Sequence, residues 1–149
     1  EAHKRQPILS LAAALPLMAV LIGRKVEDEI GTQPNIYTLG VCESGGGKDK
    51  AREIVKEILF RSGNDPLVGA EDFASDAGLL TAIDEYPARI FLWDECGRII
   101  RTLGNAGRAP HLFHIVTLLM RLYTSSGTVF FGKAYKDSRN NVMIDRPCA

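Results

Sequence analysis

Apolar positions in this chain cluster into runs whose lengths and flanking polar residues predict the elements in turn. Residues 8–22 (ILSLAAALPLMAVLI) are fifteen positions without a charge and predict a buried helix, kinked or broken at Pro16. Residues 36–41 (IYTLGV) predict a strand that empties into a glycine-rich turn at 44–47 (SGGG), and residues 49–62 then predict a helix. A short strand is expected near 67–69. Ser75 or Asp76 caps a helix that runs through Ile83 to Tyr86, with Pro87 just beyond its end. Residues 89–95 (RIFLWDE) put four consecutive apolar residues before two carboxylates, the pattern of a buried parallel strand with acid at its C-terminal end. Residues 96–110 carry arginine at 98, 101 and 108 and three glycines, which reads as a mobile basic loop or an ordinary connection, the functional loop favoured for Arg98 and Arg108 and the plain connection for Arg101. A helix over 111–123, a strand over 127–133, a turn at 137–141 and a last apolar stretch at 142–144 complete the chain. Strands alternating with helices predict an α/β fold, a three-layer sheet flanked by helices. Residues 1–35 are expected as an N-terminal helical segment packed on a core formed by 36–149.

The chemistry is concentrated at the ends of two of these predicted strands. Backbones at Ser44, Gly45, Gly46 and Gly47 can adopt conformations closed to other residues and aim several N–H groups at one anion. Lys48 adds a point charge for the outer phosphates of a nucleotide, and the helix that follows presents the positive end of its dipole. Against the phosphate-loop pattern GxxxxGK[ST], residues 42–49 read CESGGGKD, with Cys42 in place of the first glycine and Asp49 in place of the hydroxyl residue. The second carrier is the acidic pair after RIFLW. There Asp94 is expected to hold magnesium through water, Asp49 to assist it, and Glu95 to polarise the attacking water as general base. Taken alone, a glycine turn can also be a flexible linker, and an acidic strand end reads equally as a solvated turn; both in this order, each after an apolar run, favour nucleotide binding.

From Leu21 to about Asp145 the chain resembles the P-loop ATPase domain of phage and bacterial primase/helicase-type replication proteins. The resemblance is carried by GRKVEDE (23–29), PNIYTLGV (34–41), SGGGKD (44–49), SDAGLL (75–80), FLWDECGR (91–98) and LYTSSG (122–127). In that family SGxGKD is the usual form of the loop, which accounts for Asp49, whereas Cys42 departs from the glycine or small residue usual there. The resemblance implies a P-loop NTPase (RecA/AAA+-like) sheet and an ATPase of DNA replication, using ATP and Mg²⁺ and assembling as a homo-oligomeric ring. Lys48 and Glu95 would be its catalytic residues, and Arg98 and Arg108 its contacts to DNA or to a neighbouring subunit. In the family a γ-phosphate sensor and a neighbour's arginine lie further along the chain, so these residues are expected to be an excerpt holding the binding half of the site. The alternative is a non-catalytic nucleotide-sensing or scaffold module that retains the phosphate loop.

Composition narrows the classes. Lys plus Arg and Asp plus Glu are 18 each, a formal net charge of zero, which argues against a stand-alone nucleic-acid binder. Cys42, Cys96 and Cys148 form no CxxC pair, which suits free thiols in a reducing cytoplasm and excludes a structural zinc motif. The apolar run at 8–22 is too short to span a bilayer comfortably and is followed by GRKVEDE rather than a small-residue cleavage site, so no membrane partner is expected. His111 and His114 stand one helical turn apart but lack a third ligand of matching spacing, so they are expected as ordinary core or surface histidines.

Overall fold

The computed structural model describes residues 6–43, 46–94, 96–103, 110–137 and 141–148. Among these, five α-helices carry most of the regular structure: α1 Pro7–Ile22, α2 Lys48–Arg61, α3 Asp76–Glu85, α4 Cys96–Leu103 and α5 Pro110–Thr124. A 3₁₀ turn covers Asp65–Leu67, and two short strands, β1 Val129–Phe131 and β2 Met143–Asp145, pair antiparallel with Phe130 opposite Ile144.

The local reasons for the helices are visible in their ends. Pro7 starts α1 from a position where its missing N–H costs nothing. Ser75 caps α3, its Oγ accepting the N–H of Gly78 at 3.1 Å, and Tyr86 leaves the helix in an extended conformation ahead of Pro87. Gly63, at φ 69°, closes the C-terminus of α2. α1 runs unbroken across Pro16, so of the expected kink or break the break is excluded. A proline there leaves the carbonyl of Ala12 without its helical donor, and the Thr38 hydroxyl supplies one, donating to Ala12 O at 2.9 Å.

The expected three-layer parallel sheet is not present; the architecture is mainly helical, and the single sheet among the described residues is the two-stranded antiparallel pair. Residues 36–41 form no strand. They have no regular structure, and Val41 is 80% exposed. Side chains fasten this segment instead of a backbone ladder: Thr38 bonds to α1, and the Tyr37 hydroxyl donates to Leu119 O on α5 at 2.8 Å. Burial pushes the Tyr37 phenol well above its ordinary range, with Cys148 and Tyr123 adding to the effect, so it stays protonated and able to donate. Among the described residues parallel pairing is limited to two isolated bridges, Val68 with Ile90 and Ala88 with Cys148. The segment around 88–90 is thus hydrogen-bonded on both edges, Ile90 N donating to Leu67 O at 2.8 Å and Arg89 N to Cys148 O at 2.9 Å. Gly69 allows this approach, since a Cβ there would lie 2.2 Å from the Phe91 ring. Residues 96–103 are helical, which corrects the expectation of a basic loop over the first part of 96–110.

Two apolar clusters form the core. One gathers Leu79, Leu80 and Ile83 of α3, Ile115, Leu118 and Leu122 of α5, and Phe130 and Ile144 of the strands. The other joins Leu17 and Val20 of α1 to Val55 and Leu59 of α2. Residues 90–93 run between them with extended alternation: Ile90 and Leu92 belong to the second cluster, Phe91 and Trp93 pack on the first.

The Thr38 bond across Pro16 is testable by a double-mutant cycle followed by urea unfolding. Thr38→Val is expected to cost about 1 kcal/mol in the parent chain. In a Pro16→Ala background, where residue 16 regains an N–H for Ala12 O, the same change is expected to cost nearly nothing. Equal costs in both backgrounds would show that Thr38 does not replace the missing helical donor.

Candidate functional site

The turn that enters α2 is shaped by two glycines. Gly47 stands at the N-cap with φ 83°, a left-handed conformation that suits glycine. Gly46 donates its N–H to Glu43 O at 3.0 Å, and a Cβ on it would lie 2.8 Å from that oxygen and 2.9 Å from Cys42 Sγ. Cys42 therefore fits where a glycine was expected because Gly46 has given up the space. The N-cap of α2 is Gly47, which has no side chain to take the leading N–H groups of the helix.

Lys48 is the first residue of α2, and its Nζ lies 3.6 Å from Asp94 Oδ1. The carboxylate arrives there because Ile90 and Leu92 are buried against Val55 and Leu59 of the same helix. Arg52, one turn along α2, completes the arrangement. A single nitrogen, Nη2, lies 2.8 Å from Asp49 Oδ1 and 3.1 Å from Asp94 Oδ2, which brings both carboxylates within reach of one cation. Burial opposes the charge on Arg52, but its bonds to Asp49 and Asp94 outweigh this and raise its pKa further. One more turn on, Lys56 pairs with Glu71 at 2.6 Å and holds that carboxyl below its usual range.

The predicted residues thus divide. Gly46, Gly47, Lys48, Asp49 and Asp94 are brought together at one helix end. Ser44, Gly45, Glu95 and Arg108 lie outside the described residues, and Arg98 falls on α4 rather than in a loop. Arg52, Lys56 and Glu71 were not foreseen. Their signal was the four-residue spacing of Lys48, Arg52 and Lys56, which sets three cations on one helical face.

Two other features lie apart from this cluster. Asp76 of the SDAGLL segment pairs with Lys133, not with the phosphate turn, beside a cavity of about 50 Å³ also lined by His114, Arg121 and Tyr135. No helix among the described residues is long and apolar enough to cross a membrane.

No protein-family model, curated protein or solved structure matches this chain. What the site can do follows from its geometry. An uncapped helix N-terminus, a glycine turn and a lysine suit a phosphate. Among the described residues no group of three or more His, Cys, Asp or Glu side chains is placed to hold a metal by itself. Two neighbouring carboxylates nonetheless fit magnesium, which takes one or two protein oxygens and fills its remaining positions with water and substrate phosphates.

Because the Arg52 pairs lie at the surface, their worth to the fold is small. Arg52→Gln is expected to lower unfolding stability by about 1 kcal/mol or less, with the cost shrinking as salt is raised. A loss of several kcal/mol in urea titrations, unchanged by salt, would make Arg52 a structural core residue.

Proposed function

We propose that this chain binds the polyphosphate of ATP at the N-terminus of α2 and hydrolyses it as part of a DNA-replication ATPase. The observation that carries the reading is the meeting of Lys48 and Asp94, 3.6 Å apart at an uncapped helix end, with Asp49 tied to the same point through Arg52. The reading does not depend on a parallel sheet, since the phosphate is held by a turn, a helix dipole and a lysine. The likeness of SGGGKD and FLWDE to the loop and acidic segments of replication ATPases supports it further.

In this reading the backbone N–H groups from Gly47 onward and Lys48 Nζ hold the phosphate oxygens. Asp49 and Asp94 are the residues that would hold magnesium. The metal, when bound, neutralises charge on the β and γ phosphates. Glu95, next in the chain after Asp94, accepts the proton of the attacking water. Arg98 and Arg108 are assigned to DNA or to a neighbouring subunit of a homo-oligomeric ring. An arginine delivered from such a neighbour stabilises the transition state, a contribution of roughly 10³ to 10⁵ in rate. A second reading, nucleotide binding without hydrolysis, is favoured by one observation: Arg52 already sits between the two carboxylates.

Calorimetric titration with ATP, with and without magnesium, tests the site. Lys48→Ala is expected to weaken binding by a few kcal/mol while leaving the fold intact. Asp49→Ala is expected to weaken Mg-ATP binding far more than binding of metal-free ATP. Undiminished ATP binding by Lys48→Ala overturns the phosphate site, and equal losses in both arms make Asp49 a helix-end charge instead of a metal ligand. Glu95→Gln separates the two readings, since it abolishes turnover while sparing binding only in an enzyme.

A further inference from the structure

We propose that Arg52 is the resident counter-cation of the metal site, a positioning residue that holds Asp49 and Asp94 together and keeps divalent cations out until they arrive with nucleotide. This rests on the phosphate-site reading and adds an order of binding to it.

The geometry places one guanidinium nitrogen where a metal would mediate between the same two carboxylates, 2.8 Å from Asp49 Oδ1 and 3.1 Å from Asp94 Oδ2. Lys48 approaches the other oxygen of Asp94 at 3.6 Å. Two cations thus face two carboxylates, and their formal charges cancel. A divalent ion entering alone would meet a guanidinium that cannot shed its proton, so the local field opposes it. A metal entering with a polyphosphate brings a surplus of negative charge, which reverses the balance and gives Lys48 and the guanidinium new acceptors.

Arg52 is also built to let go. Its side chain is about a quarter exposed, at 23%, and the two carboxylates it bonds are half exposed or more, so water reaches both pairs. Glu71, already paired with Lys56, lies within the electrostatic reach of both Arg52 and Asp94 and keeps acidic charge near a displaced guanidinium. Lysine at this position would preserve the charge while replacing the planar guanidinium with a compact ammonium. The exclusion of metal is a matter of charge, so Arg52→Lys retains it and Arg52→Gln loses it.

The test uses Mn²⁺ as the probe, read by the loss of its free-ion paramagnetic resonance signal, with no nucleotide present. Arg52→Gln is expected to bind Mn²⁺ at least about tenfold more tightly than the parent, the scale set by removing one positive charge a few ångströms from a divalent ion even in water. Arg52→Lys is expected to stay close to the parent. Adding Asp94→Asn to Arg52→Gln is expected to abolish the gain, which locates the metal at this pair of carboxylates. The proposal is overturned if Arg52→Gln, folded by its circular dichroism, binds Mn²⁺ no more tightly than the parent, if Arg52→Lys gains as much, or if the gain survives Asp94→Asn. Mg-ATP titration of the parent chain is the separate arm. A parent that binds no Mg-ATP overturns the phosphate site itself, and the Mn²⁺ series still reports whether Arg52 guards the carboxylates.

Discussion

Two-sided burial of residues 90–93 is the constraint on which this structure turns. Ile90 and Leu92 face one apolar cluster, and Phe91 and Trp93 face the other, so the segment is the wall the two cores share. Burying an aliphatic or aromatic side chain contributes about 1.5–3 kcal/mol. With four in succession, the segment cannot slide by one residue without exchanging every side chain between clusters. That fixes where Asp94 emerges. The carboxylate is held against Lys48 by apolar packing behind it, and not by the ion pair, which is exposed and weak.

The same segment explains what was legible in the sequence and what was not. Four apolar residues followed by acid signalled a segment packed on both faces, and the carboxylate at its end lies near Lys48. They did not specify a sheet, because alternation records which side chains are buried and says nothing about whether a backbone ladder exists. Residues 67–69 and 148 each supply a single bridge to 88–90 and no more. Residues 36–41 misled for the complementary reason. IYTLGV has the composition of a strand, yet its polar groups Thr38 and Tyr37 OH are the anchors, one satisfying a carbonyl that Pro16 leaves open and the other a carbonyl of α5. Helix ends were better marked, since Ser75, Gly47 and Pro87 act through local geometry that needs no partner from elsewhere in the chain.

A net charge of zero concealed the most organised electrostatic feature. Averaged over the chain, 18 cations and 18 carboxylates cancel. On α2 they are sorted, with Lys48, Arg52 and Lys56 on one face opposite Asp94 and Glu71, while Glu53 and Glu57 pair along the helix with Lys50 and Arg61. Arg52 was missed because a sequence motif for phosphate and metal names the groups that touch ligand. It does not name the cation that pairs with both carboxylates.

Positioning of the site reaches back to α1, a helix without a charged residue. Leu17 and Val20 of α1 pack with Val55 and Leu59 of α2 and with Ile90 and Leu92, so one cluster supports both the helix that carries Lys48 and the segment that carries Asp94. The separation between the two halves of the site is therefore a packing distance, set by how closely α2 and residues 90–92 settle on α1. Pro16 and Thr38 join the same chain of dependence: the bond from Thr38 to Ala12 O fastens to α1 the stretch of backbone that runs on through Gly40 to Cys42 at the glycine turn. Gly40 is close enough to α1 that a Cβ there would touch Leu9 at 3.1 Å. The turn, the lysine and the aspartate are thus all referred to one apolar helix, whose part in the site no motif of charged or glycine residues could reveal.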